Sequence, residues 1–312
     1  MIAPVAEKQA TPLSHGHDHI RPPRARQRAA ILMYHRVTDA PVGELRHMAV
    51  PVRRFREQMI YLTRRFRIMP LAELVGALRD ERPIPPRAMA VTFDDGYRDN
   101  LAEAAPIMRA LGIPATLFFA TGPQERAEPF WWDTLELAGR GPELRATVKR
   151  APKEEFQRIV AQILAEIPPA RAREAVEQLY MTWDDLRTWQ RLGMDVGAHT
   201  TTHPILARLS PAEIAAEILP ARARLEHELG RPITLFAYPN GKANDYSDYA
   251  RRLLAENGFV AACTTIEAMN DTTTDPFSLH RFIGRDEPLP LFALRISRLV
   301  NITMQSMLRS GA

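Results

Sequence analysis

Short apolar runs alternate with segments of helical spacing along most of this chain, and that alternation limits the folds open to it more than any other feature. About seven or eight such runs can be read, at 29–34, 67–69, 88–91, 115–120, 194–198, 233–236, 259–264 and 279–283. A strand–helix–strand rhythm makes the strands parallel, with helices as crossovers. No glycine-rich dinucleotide loop follows a strand, and polar motifs stand at several strand C-termini. A barrel therefore fits better than an open sheet. At 312 residues, 46% hydrophobic and 25% charged, the chain suits a soluble globular protein with a sizeable core.

Punctuation between the strands is clear in places. Helices are expected over 51–66 and 71–78, followed by a proline-rich linker at 83–86. The helix expected from Tyr97 to Leu111 carries Pro106, so a kink or break is expected there, and Gly112 ends it. Thr182 with Asp185, and Ser210-Pro211 with Glu213, read as helix N-termini, closed by Gly193 and Gly230. Residues 38–50 read as a loop. Residues 123–181 break the rhythm: Phe130-Trp131-Trp132-Asp133 opens a stretch rich in Arg, Glu and Ala with helical spacing. It reads as a helical insertion within one domain spanning 30–312, not as a second domain. Residues 289–308 are expected to form a closing helix packed on the sheet.

Net charge is +4, and +3 of it lies in residues 1–30, which read as a disordered basic tail over 1–29. The remainder is nearly neutral, so nothing beyond the tail supports a nucleic-acid partner. His15, His17 and His19 fall in that tail and read as solvated. A single cysteine, Cys263, excludes an internal disulfide and reads as a buried structural thiol. No signal peptide and no transmembrane run are visible, so a cytoplasmic location is expected. The oligomeric state is not legible.

The chemistry gathers at strand ends. Thr92-Phe93-Asp94-Asp95-Gly96 puts two adjacent carboxylates where a strand gives way to a tight turn. Like charges this close repel, so keeping both ionised needs a cation or strong donors. A helix cap would also explain an Asp here. A second strand ends in His199-Thr200-Thr201-Thr202-His203-Pro204, two imidazoles four residues apart. Two histidines and one carboxylate make an open ligand set with room for water and substrate.

These motifs, followed by Phe236-Ala237-Tyr238-Pro239-Asn240-Gly241, resemble the polysaccharide deacetylases of the NodB-homology type, carbohydrate esterase family 4, over about residues 30–285. The resemblance implies a distorted (β/α)7-8 barrel and a divalent metal, zinc first, with Co2+, Ni2+ or Mn2+ as alternatives. It implies hydrolysis of acetyl groups from an N-acetylated sugar, oligosaccharide or polysaccharide. By position, Asp95, His199 and His203 would hold the metal and Asp94 would be the general base. The backbone N–H of Asn240 would face the oxyanion. Tyr238, Pro239, Trp131 and Trp132 are the substrate-binding candidates; the two tryptophans could equally be the insertion's own core.

Two positions depart from the family pattern. Ala237 stands where much of the family has the arginine that steadies the base, and Leu279-His280-Arg281 has Arg where a catalytic histidine is expected. Strand alternation puts Leu279 and Arg281 on one face and His280 on the other, so Arg281 is expected to pair with Asp94. His35 follows the first strand directly, and Tyr34-His35 resembles the Tyr-His of the poly-N-acetylglucosamine deacetylase branch. It is therefore expected to be the general acid. A same-fold hydrolase of a small amide or imide, or an inactive carbohydrate-binding protein, are the competing readings.

Overall fold

The computed structural model describes residues 28–39, 48–140 and 142–297. In chain order the first part contains strands β1 (Ala29–Tyr34), β2 (Arg36–Val37) and β3 (Ala49–Val50). Helix α1 (Val52–Arg65), strand β4 (Arg67–Ile68), helix α2 (Leu71–Arg79) and strand β5 (Ala88–Asp95) follow. Next come helix α3 (Ala105–Ala110) and strand β6 (Thr116–Phe119). A run of helices comes after it: α4 (Gly122–Arg126), α5 (Trp131–Leu137), α6 (Pro142–Arg150), α7 (Lys153–Ala165) and α8 (Pro169–Leu179). The alternation then resumes with α9 (Trp183–Arg191), β7 (Asp195–Ala198), α10 (Pro211–Leu229), β8 (Leu235–Ala237), α11 (Asp248–Glu256), β9 (Ala261–Cys263) and β10 (Phe282–Ile283).

The strands pair in parallel in the order β10-β1-β5-β6-β7-β8-β9, with β4 beside the start of β5. The two ends of that path meet. Leu279 bridges Cys263 in parallel register, with its N–H on the Ala262 carbonyl (2.9 Å) and its carbonyl accepting from the Thr264 N–H (2.7 Å). The result is the distorted (β/α) barrel expected from the strand rhythm.

Strand alternation sorts the apolar residues into two layers. One set, with Leu32, Tyr34, Phe93, Phe119, Phe236 and Tyr238, packs outward against the surrounding helices. The other, with Ile31, Ala90, Phe118, Leu235, Ala237 and Cys263, fills the barrel together with Leu71, Leu74 and Leu78 of α2. Helix α2 thus plugs one end. Thr92, Asp94 and Arg281 continue the inward set toward the other end, where the chemistry lies.

Local signals explain the element ends. Thr182 with Asp185 and Ser210 with Glu213 both form reciprocal capping boxes, and Gly230 leaves α10 at φ 64°. Pro106 does not kink a continuous helix. A π-helical turn at Asn100–Ala104 precedes it, and α3 then starts at Ala105 with the proline in its first turn, where its missing N–H is not needed. Residues 38–50 are not wholly loop, because Ala49–Val50 pairs with Arg36–Val37. Ala29, the residue where the expected tail and the expected first strand overlap, belongs to the strand and is fully buried in β1, whereas residues 1–27 and their three histidines lie outside the described residues. The closing helix runs over 289–297, seating Phe292 and Ile296 in the outer core, and its expected continuation to 308 also lies outside them. Cys263 is buried, and burial pushes its thiol up to about 12. Among the described residues, no helix is long and apolar enough to cross a membrane.

Candidate active site

Asp94 and Asp95 are the last two residues of β5 and are almost fully buried. A helical segment starts just beyond them at Arg98, but the Asp94 oxygens are taken by Arg281 and those of Asp95 accept from no N–H among the described residues, so the capping explanation for the pair does not apply. Successive residues on a strand point to opposite faces. Asp94 therefore faces the barrel interior, while Asp95, with φ at 75°, turns out of the strand toward the histidine loop. Gly96 follows at φ 90°, and a Cβ there would sit 2.6 Å from the Phe119 ring, so this turn needs glycine.

Arg281 reaches Asp94 from the far side of β1. Its Nη1 and Nη2 donate to Oδ1 and Oδ2, each at 2.7 Å, and Nε donates to the Thr264 carbonyl at 2.8 Å. Nη1 also approaches Thr92 Oγ1 at 3.2 Å, and the guanidinium lies over the Phe118 ring. Burial alone would raise the Asp94 carboxyl. The Arg281 charge and hydrogen bonds, together with the His199 and His35 imidazoles, outweigh it, and the net direction is below the usual carboxylate range. His280 is half-buried on the opposite face, with its backbone tied to Asn270.

The histidine loop leaves β7. His199 Nδ1 lies 2.7 Å from the Ala237 carbonyl, which can only accept, so Nδ1 carries the proton and Nε2 presents a lone pair. That Nε2 and the Nε2 of His203 each lie 3.4 Å from Asp95 Oδ1. One ligand atom from each of these three residues falls within 4.8 Å of the others. Thr200 and His203 adopt left-handed backbone, φ 65° and 57°, which bends the loop enough to turn both rings toward Asp95. Glu217 of α10 holds the bend by accepting from the N–H groups of Thr201 and Thr202.

The donor set suits a divalent cation. Among the described residues, neither oxygen of Asp95 has a hydrogen-bond donor, although the carboxylate is buried. Unpartnered buried carboxylates are costly. Burial pushes Asp95 up, but the surrounding imidazoles of His199, His203 and His35 hold it well below the usual range. Burial holds His203 down to about 3, which keeps its ring neutral and able to ligate.

His35 sits in the turn between β1 and β2. The π-helical turn fixes that turn from outside. Asn100 donates to the His35 carbonyl at 2.8 Å, and Asp99 takes the Val37 N–H and the Arg36 guanidinium. Burial lowers the His35 imidazole against the pull of Asp95 and Asp94. Asn240 follows β8 at φ 59°, and its N–H has no acceptor among the described residues.

A cavity of about 460 Å³ opens between this cluster and the helices α5 and α7, with His203 and Asn240 on one wall and Trp131 and Phe156 on the other. Of the four substrate-binding candidates, only Trp131 lines it. Tyr238 is corrected: it packs outward, stacked on Tyr246, with its hydroxyl on the Phe277 carbonyl. Pro239 is buried beneath the turn. Trp132 does not line the cavity and takes the other reading given for it, the insertion's own core: it is buried against Phe130, with its Nε1 donating to the Tyr97 hydroxyl. Phe130 and Phe156 on the cavity wall were missed, because an aromatic in a helical segment looks the same whether it faces core or cavity.

A family model described as polysaccharide deacetylase matches residues 81–262. The chain belongs to the polysaccharide deacetylase family. It is thereby a hydrolase acting on acetylated carbohydrate. The Bacillus subtilis (strain 168) protein YxkH, named for the same family, is 18% identical over 252 residues, 80% of this chain and 69% of that protein. The poly-β-1,6-N-acetyl-D-glucosamine N-deacetylase of Escherichia coli K12 is 32% identical over 85 residues, which are 27% of this chain and 12% of that protein. IcaB from Ammonifex degensii shares the fold at a TM-score of 0.63 and 20% identity, covering 86% of this chain and 96% of that one.

Proposed function

We propose that this deacetylase hydrolyses the N-acetyl group of an amino-sugar saccharide with the help of a divalent cation, zinc first. The observation that carries the reading is the adjacency of two differently wired carboxylates: Asp94 clamped by Arg281, and Asp95 left to the two imidazoles. Similarity to a relative named as an N-deacetylase supports the N-acetyl assignment.

Asp95, His199 and His203 would hold the cation, which when bound would polarise the acetyl carbonyl and make water more acidic. Asp94, kept ionised by Arg281, takes the proton of the attacking water as general base. The Asn240 N–H donates to the oxygen that gains charge as the carbonyl carbon becomes tetrahedral. The C–N bond then breaks, and His35 delivers its proton to the departing nitrogen. The products are acetate and a free amine on the sugar. Trp131 offers an apolar wall for a sugar ring in the cavity.

The test is acetate release from a panel of N- and O-acetylated saccharides, with and without chelator. Release from N-acetylated members that stops with chelator and returns with zinc is expected. Chelator-resistant release, or turnover of O-acetyl members alone, overturns the reading.

A further inference from the structure

The two histidines of the cluster are supported in different ways. His199 has the usual arrangement, with the ring nitrogen remote from Asp95 donating to a carbonyl. His203 has none: its Nδ1 is buried and has no hydrogen-bond partner among the described residues. What surrounds its ring instead is aromatic and comes from the insertion. Trp132 meets it edge to face at 4.7 Å between centroids, and Phe130 lies at 5.7 Å.

Trp132 is itself fixed. Its Nε1 donates to the Tyr97 hydroxyl at 2.8 Å, which donates to Asp133 at 2.9 Å, and the Tyr180 hydroxyl donates to the same carboxylate oxygen. Tyr97 and Tyr180 stack at 5.2 Å. The insertion is also bound at both ends to the loops that carry the cluster. At its start, the N–H groups of Thr121 and Gly122 donate to the carbonyls of Thr200 and Thr201; at its end, the Met181 N–H donates to the Gly96 carbonyl. A Cβ at Gly122 would stand 2.4 Å from the Thr201 oxygen, so that junction admits only glycine.

We propose that the insertion is a working part of the metal site. Trp132, braced by the Tyr97–Asp133–Tyr180 network, is a positioning residue that holds the His203 imidazole in its ligating orientation. It does for His203 what the Ala237 carbonyl does for His199. An imidazole without a bond on its second nitrogen rotates about χ2 at little cost, since that torsion is broad. Rotation here sweeps the ring into Trp132. The inference rests on the ligand set proposed above.

The test is zinc affinity, measured by competition with a chromogenic chelator in the full chain. Losing the support of a ligating histidine costs about 10–100-fold in metal affinity. Trp132→Ala is expected to weaken zinc by about tenfold or more, and Trp132→Phe, which keeps a ring edge, to recover most of it. In a His203→Ala background, Trp132→Ala is expected to add less than about a twofold change, the signature of coupling through that ligand. A purely structural role would shift both backgrounds alike, and that result, or unchanged affinity in folded Trp132→Ala, overturns the proposal. Should Trp132→Ala not fold, Tyr97→Phe removes the hydroxyl that braces the indole without leaving a cavity. It is expected to weaken zinc only when His203 is present, and unchanged affinity there equally overturns the proposal. Wild-type protein that binds zinc but is indifferent to these changes defeats this inference alone; wild-type protein that binds no zinc defeats the ligand set as well.

Discussion

Arg281 and Asp94 meet through two parallel hydrogen bonds of 2.7 Å, both side chains sealed from solvent inside the barrel. A buried ion pair is a poor way to gain stability, because desolvating both charges offsets most of their attraction. Apolar side chains of similar volume would serve the fold as well. The pair makes sense where an ionised carboxylate is needed away from water, as the general base proposed at the end of β5 would be.

Arg281→Met keeps bulk and removes the charge. Asp94 is then buried alone, and its carboxyl moves up, since burial is the largest influence on it and Arg281 the main opposing one. Stability is expected to fall by about 3–5 kcal/mol by chemical denaturation. The acid limb of the rate profile is expected to move to higher pH, because the base must lose its proton before it can act. A variant with wild-type stability and profile would exclude this pairing from the mechanism.

Asp94→Asn separates the roles of the two carboxylates. Zinc content measured by atomic absorption is expected to stay at one per chain while kcat falls by about 10² or more, the scale of general base catalysis. A variant that loses its zinc would exchange the roles of Asp94 and Asp95.

His35→Ala is expected to retain zinc and fold but to lose most deacetylation, with the basic limb of its pH profile altered, since the acid that protonates the leaving amine is gone. His280→Ala is expected to be nearly silent, because that ring faces away from Arg281. The opposite pattern in acetate release would make His280 the acid.

Burial raises the Asp133 carboxyl to about 6, against the hydrogen bonds of Tyr180 and Tyr97. An unfolded aspartate titrates near 3.9, so between about pH 4 and 6 the folded chain holds a proton that the unfolded chain has released. Stability tied to this group is therefore full below that window and declines as pH rises through it, by about 3 kcal/mol in all. Subtracting the unfolding free energy of Asp133→Asn from that of wild type at each pH isolates the effect. A flat difference from pH 4 to 6 would mean that the carboxyl is not raised.

Periodicity told much of this in advance, and its limits are instructive. Ala29–Tyr34 was readable to the residue because six consecutive small or apolar residues have no other use. The facing of Arg281 followed from counting two residues from Leu279, and the same counting would have warned about Tyr238. It lies two residues from Phe236, so the two share the outward face that packs on the helices. Reading Tyr238 from its motif neighbours and not from its strand parity put it in the wrong layer. The pairing of β2 with β3 could not be seen, because two-residue strands carry no period. Nor could the Asp133 network be seen: it joins residues from three distant stretches, and each of its members looks ordinary alone.

The last strand, β10, pairs with the first, β1, and the ion pair beside it reaches one strand further, to β5: 187 residues separate Asp94 from Arg281. A chain emerging from synthesis delivers Asp94, Asp95, His199 and His203 well before the residue that neutralises Asp94. Until the last strand arrives, the interior carboxylate has no partner and keeps its water. Drying of the pocket and closure of the ring are thus one event, and a chain released too early would carry Asp95, His199 and His203 yet leave Asp94 wet.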